Sequence, residues 1–317
     1  MKVFISRKLP GKPELHLRRI GFNVNSYLKD EAIPNEEFLR HSKDVDAIIT
    51  SLTEKVDRKF IDSLRRCKII ANCAVGYNNI DVKYARSKGI VVTNTPDVLT
   101  NATADITSAL ILASARRLRE GELIMRNNKS IIWQAGCMLG IELNKKILGI
   151  IGAGRIGSAV AKRMHAFGMR IVYFNRSKNE QLKKMYGARK VSLKKLLMIS
   201  DVISVHLPLN ESTFHFLDKD RLKLLKQTSI LVNTSRGEVI DESELIKLLK
   251  KRKIFAAGLD VFEGEPYINP ELHKLDNVFL LPHIGSATKE TREAMSLLCV
   301  KNVVNVLKGK KPLTPVN

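Results

Sequence analysis

A chain of 317 residues in which 44% are hydrophobic can bury a sizeable core, and its length favours two domains. This composition excludes global disorder, and no segment reaches the run of about eighteen apolar residues that a membrane span needs. The 54 Lys and Arg against 32 Asp and Glu leave a formal charge of +22, but the lysines are scattered and aromatic residues make up only 6%. Without a basic stripe interleaved with aromatics, a nucleic-acid partner is not expected.

The amino end, MKVFISRKLPGKPE, holds a four-residue apolar run before basic residues and prolines, which fits a first strand and not a signal peptide. A cytoplasmic protein is therefore expected. Short apolar runs then alternate with helical patterns: KVFIS, a helix near Leu15, NVNSYL, a helix near Glu36, DAIITS, a helix near Phe60, KIIANCA, a helix near Tyr84, and IVVTNT, complete by about Pro96. Such alternation predicts a parallel sheet with crossover helices. Residues 101–118 read as a helix linking two domains, with Ile106, Ala109, Leu110 and Ala113 on one face and Asn101 as a candidate cap. Residues 120–144 follow as a long connector holding the single tryptophan, Trp133, and connectors of this length tend to be functional or interfacial.

A second series opens with KILGII, a buried strand that runs directly into Gly152-Ala153-Gly154-Arg155-Ile156-Gly157 and then into helical spacing at Ile156, Val160, Ala161 and Met164. Strand, tight turn and helix amino end make a cradle for a pyrophosphate: Gly152 permits the turn, Gly154 lets backbone approach phosphate, and Gly157 lets helix pack on strand. The next strand, RIVYF, ends at Asn175-Arg176-Ser177-Lys178, where an NAD site usually carries an acid for the ribose 2′-hydroxyl. With no acid there, and with Arg176 and Ser177 able to donate to a 2′-phosphate, NADP(H) is expected over NAD(H). The plainer alternative is a solvated basic turn.

Further strands are expected at DVISVHLP, SILVNT, AAGLDVF and VFLLP, enough for an independent doubly wound α/β sheet, so the chain reads as two such domains with a cleft between them. Arg236, Glu265 and His283 each follow one of the last three runs, and the carboxyl ends of parallel strands are where ligands bind. A cation, a carboxylate and a titratable imidazole are the groups that reduction of a 2-keto acid needs. His206, also at a strand end, reads as structural or as lining the cofactor cleft. Residues 288–308 form the final helix, carrying Met295, Leu298, Val303 and Val304, and are expected to return to the first domain. Cys67, Cys73, Cys137 and Cys299 lack CxxC spacing, so neither a metal site nor a disulfide framework is expected, and Cys73 is expected within a strand.

Seven blocks in order, VGYNNID at 75–81, TNTPDVLTNATAD at 93–105, GAGRIG at 152–157, HLPLNEST at 206–213, NTSRGEVID at 233–241, AGLDVFEGEP at 257–266 and PHIGSAT at 282–288, resemble the D-isomer-specific 2-hydroxyacid dehydrogenases. Their glyoxylate/hydroxypyruvate reductase branch is the nearest. The resemblance implies a flavodoxin-like substrate domain of residues 1–98 and 286–317, a dinucleotide-binding Rossmann domain of residues 99–285, and a homodimer. It also implies that Arg236 holds the substrate carboxylate and keto oxygen, that His283 is the acid and base, and that Glu265 pairs with His283. Val75 and Gly76 would offer backbone N–H groups to the carboxylate, and Leu52 would close the small pocket. Asp260 would hold the nicotinamide amide, Thr234 and Pro208 would line the cofactor site, and Trp133 would either reach the partner subunit's site or serve ordinary packing. The implied activity is reduction of glyoxylate or hydroxypyruvate to glycolate or D-glycerate. The enzyme alternative is an NAD-linked D-lactate or D-3-phosphoglycerate dehydrogenase, and a dinucleotide-sensing corepressor shares the fold and the triad. The end at Asn317, with no regulatory extension, counts against serine biosynthesis, while Gly136-Cys137-Met138 matches no pattern tied to one substrate.

Overall fold

A computed structural model of the chain describes residues 1–127 and 133–317, which divide into two compact units, Met1–Leu99 with Ser286–Asn317, and Thr100–Gly285. The first unit begins β1 (Lys2–Ile5), α1 (Pro13–Arg19), β2 (Asn23–Ser26), α2 (Asn35–Ser42), β3 (Ala47–Thr50), α3 (Arg58–Ser63), β4 (Ile69–Asn72), α4 (Val82–Ser87) and β5 (Val91–Thr93). All pairings are parallel, in the order β2-β1-β3-β4-β5. β3 and β4 are buried along their whole length, as strands covered on both faces must be, whereas β2 at the edge alternates with polar residues. Asp57 and Asp81 cap α3 and α4 by accepting from the N–H groups of Phe60 and Tyr84. Under the helices, Phe38 stacks on Phe60 at 4.4 Å between ring centroids, beside Phe4, Ile48 and Ile70.

The second unit holds α5 (Thr100–Ala115), α6 (Leu118–Asn127), β6 (Ile147–Ile151), α7 (Arg155–Ala166), β7 (Arg170–Phe174), α8 (Glu180–Tyr186), β8 (Arg189–Lys190), α9 (Leu193–Ile199), β9 (Val202–Val205), α10 (Lys219–Leu222), β10 (Ile230–Asn233), α11 (Glu242–Lys250), β11 (Ala256–Leu259), α12 (Pro270–His273) and β12 (Val278–Leu280). Its parallel sheet runs β12-β11-β10-β9-β6-β7-β8, so the strand order reverses between β6 and β9. That reversal opens a crevice at the carboxyl ends of the strands. The last helix, α13 (Lys289–Leu307), is capped by Thr288 and packs on β4 and α1, and the residues after it pair with β5 through Val92.

Three details differ from the sequence reading. Helix α5 starts at Thr100, which leaves Asn101 inside the helix and not at its cap. The expected connector begins with a helix, α6, in which no residue is buried; residues 128–132 of that connector lie outside the described residues. Cys73 sits one residue beyond β4; it is a buried free thiol, as are Cys67 and Cys299, while Cys137 is exposed. Among the described residues no helix is long and apolar enough to cross a membrane, and no cluster of His, Cys, Asp and Glu could hold a metal.

Candidate active site

At the end of β6 the backbone of Gly152 takes φ +94°, and a Cβ there would stand 2.5 Å from the carbonyl oxygen of His206. A Cβ on Gly157 would stand 2.3 Å from the oxygen of Gly152, so the helix reaches the turn only because that side chain is missing. Gly154 caps α7 with nothing within 4 Å of its Cβ position, leaving the N–H groups at the start of the helix, from Arg155 and Ile156 onward, approachable by an anion. Asn179 braces the turn, donating to the oxygen of Ala153 and to Ser158 Oγ at 3.0 Å each. Burial pushes the pKa of His206 down to about 4, so its ring, hydrogen-bonded to Ser204 Oγ at 2.8 Å, is neutral near pH 7. Beyond β7, the Asn175 amide donates to the carbonyl of Ser177 at 3.3 Å, Lys190 Nζ donates to the carbonyl of Arg176 at 2.8 Å, and the side chains of Arg176 and Ser177 are exposed.

Three strand ends away, β10, β11 and β12 deliver the charged groups. His283 Nδ1 lies 2.7 Å from Glu265 Oε2, and Glu265 Oε1 accepts from the N–H of Phe262 at 2.9 Å. Burial raises the pKa of Glu265, but the hydrogen bond and charge of His283, the Phe262 N–H and the charge of Arg236 outweigh it and leave the carboxyl below its ordinary value. Burial lowers the pKa of Arg236, opposed by Glu265 and Glu238, without threatening its charge at neutral pH. These effects put Arg236, Glu265 and His283 in one electrostatic neighbourhood. His283 itself takes φ +54°, a left-handed conformation that costs a non-glycine residue about 1 kcal/mol. Asp260 supports it: Oδ1 and Oδ2 accept the N–H groups of Ile284 and Gly285, each at 2.7 Å. Burial raises the pKa of Asp260 in spite of those bonds.

The remaining expected residues fall on both units. Thr234 is buried, with its hydroxyl 2.8 Å from that of Thr107 on α5, and Pro208 accepts at its carbonyl from Thr213 Oγ1 at 2.6 Å. In the first unit, Leu52 follows β3 and is 40% exposed, and Val75 and Gly76 follow β4. Trp133 is 85% exposed, so it does not serve ordinary packing within its own chain.

A sequence profile described as D-isomer specific 2-hydroxyacid dehydrogenase, NAD binding domain, matches residues 108–285. The glyoxylate reductase of Pyrococcus furiosus is 47% identical over 320 residues, covering 100% of this chain and 95% of that protein. The chain belongs to the D-isomer specific 2-hydroxyacid dehydrogenases. Among solved structures, the TT0316 protein of Thermus thermophilus superposes with a TM-score of 0.93 at 40% identity, with 100% of both chains covered. The NADPH-dependent glyoxylate/hydroxypyruvate reductase of Sinorhizobium meliloti, solved with NADP and malonate, gives 0.87 at 33% identity, covering 99% of this chain and 96% of that one.

As a 2-hydroxyacid dehydrogenase the protein is a nicotinamide-dinucleotide-dependent oxidoreductase. The glycine turn fits that cofactor on its own geometry, since the space above Gly154 is open and the backbone donors there are approachable. Several supporting residues of the site escaped the sequence reading. Asn233, buried at the end of β10, donates to the carbonyl of Arg236 at 2.7 Å and accepts from the N–H and hydroxyl of Ser235. A Cβ on Gly237 would fall 1.9 Å from the carbonyl carbon of Phe262, so the turn bearing Arg236 rests directly on the backbone that leads to Glu265. A glycine directly after the arginine in NTSRG was the available signal, but its partner lies in another segment.

Proposed function

We propose that the enzyme reduces glyoxylate and hydroxypyruvate, giving glycolate and D-glycerate, with NADPH preferred over NADH. The 2.7 Å pairing of His283 with Glu265, beside the half-buried Arg236, carries the reading. The glyoxylate reductase of Pyrococcus furiosus supplies the substrate class. Arg236 offers a planar fork of donors that matches a carboxylate and an adjacent keto oxygen. Val75 and Gly76 add backbone N–H groups to the carboxylate, and Leu52 limits the size of the group carried on C2. Glu265 holds Nδ1 of His283, which leaves Nε2 to carry the proton that the keto oxygen gains. When bound, the reduced nicotinamide supplies the hydride to C2. Asp260 fixes the backbone after His283 and stands as the acid for the nicotinamide amide, with Thr234 and Pro208 lining the same site.

The cofactor preference rests on the exposed Arg176 and Ser177 with no acid at Asn175. A homodimer accounts for Trp133 and for the exposed Leu118, Leu123 and Met125 of α6, which a second copy would cover. Steady-state turnover of a panel of 2-keto acids with NADPH and with NADH tests the proposal, and glyoxylate with NADPH should give the highest kcat/KM. Arg176→Ala should lower kcat/KM for NADPH by about tenfold or more and spare NADH, the scale of losing a charged hydrogen bond. Equal efficiency of mutant and wild type with NADPH rejects the cofactor assignment.

A further inference from the structure

In the first unit three asparagine side chains converge on the two loops from which the substrate carboxylate is to be gripped. Asn72 Nδ2 donates to the carbonyl of Gly76 at 2.8 Å, and Asn94 Nδ2 donates to the carbonyl of Val75 at 2.9 Å. Asn79 Nδ2 reaches the carbonyls of both Ser51 and Glu54 at 2.9 Å, tying the loop of Leu52 to the loop of Val75 and Gly76. The Leu52 turn is closed from within by Glu54, which is 3% exposed and accepts from Ser6 Oγ and Thr50 Oγ1 at 2.9 Å and from Thr53 Oγ1 at 2.7 Å.

The effect on the Val75–Gly76 backbone is one-sided. Both carbonyls are occupied by side-chain amides, while among the described residues neither N–H donates to a protein acceptor. Each carbonyl shares its peptide plane with the N–H of the next residue: Asn94 on the Val75 carbonyl fixes the Gly76 N–H, the Thr95 N–H on the Ala74 carbonyl at 3.0 Å fixes the Val75 N–H, and Asn72 on the Gly76 carbonyl holds the plane that follows. Asn72 carries a cost for this. It is fully buried, and its Oδ1 has no partner among the described residues. An unpartnered buried polar atom forfeits the hydrogen bond it made in water, a cost that an apolar residue at the end of β4 would avoid. Such a violation of packing rules is characteristic of a functional constraint.

We propose that Asn94 is a positioning residue that aims the Gly76 N–H at the carboxylate of the 2-keto acid, with Asn72 anchoring the backbone on the far side of Gly76 and Asn79 holding the pocket loop in register with them. This rests on the reading that the Val75 and Gly76 N–H groups bind that carboxylate. The test compares glyoxylate with its uncharged methyl ester in the full-length enzyme with saturating NADPH, for wild type, Asn72→Val and Asn94→Ala. The half-buried Asn94 keeps the test open where the buried Asn72 variant fails to fold. The acid-to-ester ratio of kcat/KM should fall about tenfold in each folded variant, the scale of misaligning one hydrogen bond to a charged group. The loss should lie in KM for the acid, with kcat and the ester's kcat/KM kept within about twofold. A general loss of folded enzyme would lower both substrates alike. Discrimination that is strong in wild type and unchanged in folded variants overturns the positioning role alone. A wild type that handles ester and acid equally overturns the carboxylate reading beneath it.

Discussion

At the scale of single residues, the chemistry is divided between groups that titrate and groups that do not. Glu265 is held below its ordinary pKa despite a burial that pushes the other way, because His283 and Arg236 favour its charged form. Glu265→Gln removes the carboxylate that holds Nδ1 of His283, so kcat/KM for glyoxylate should fall about tenfold or more, the scale of losing a hydrogen bond to a charged group. A kcat/KM within twofold of wild type would separate Glu265 from the acid role of His283. Arg236 stays charged near neutrality, and its loss should appear as a drop of about two to three orders of magnitude in kcat/KM for glyoxylate. A drop below threefold would remove it from the substrate site.

At the scale of elements, the geometry depends on loops meeting, and this is where the sequence was least informative. The strands from KVFIS to VFLLP were legible because buried parallel strands are continuous apolar runs, and the order of motifs placed Arg236, Glu265 and His283 at strand ends. The two-residue β8, exposed at the sheet edge, was not legible, because two polar residues carry no period. Helix α6, none of whose residues is buried, was not separated from the connector that contains it. Asn233, Gly237 and the grip of Asp260 on Ile284 and Gly285 were invisible because each depends on a partner whose register only the fold supplies. Gly237→Ala tests one of these meetings. The added methyl must displace the backbone of Phe262 and Glu263, and a displacement of about 1 Å at a catalytic group costs about a hundredfold. We expect that loss in kcat with little change in cofactor affinity; activity within threefold of wild type would show that the two loops can part freely.

At the scale of the whole molecule, the ionisable groups pull stability in opposite directions with pH. Glu54, Asp46 and Asp201 have folded pKa values below their ordinary ones, each against the effect of burial and through hydrogen bonds to nearby donors. Their stabilisation is complete above the unfolded carboxyl range and is lost as pH falls through the lowered values. Glu242 works the other way, because burial and then the charge of Glu263 raise its pKa although its Oε2 accepts the N–H of Glu263 at 3.0 Å. Its ionised form burdens the fold at neutral pH, and the burden fades as pH falls through the raised value. Glu242→Gln keeps an accepting oxygen and removes the charge, so Tm should rise by a few degrees at pH 7, with the gain shrinking towards pH 4. A Tm that falls at pH 7 would show that the carboxylate is needed there.

The contact of Gly237 with the Phe262 backbone also bears on redesign. Since guanidinium, carboxylate and imidazole are carried by turns locked against one another, random variation there will mostly yield inactive clones. Libraries intended to change which acid is accepted belong instead at the exposed Leu52 and Thr53, leaving in place the buried Ser51 and Glu54 that hold their turn.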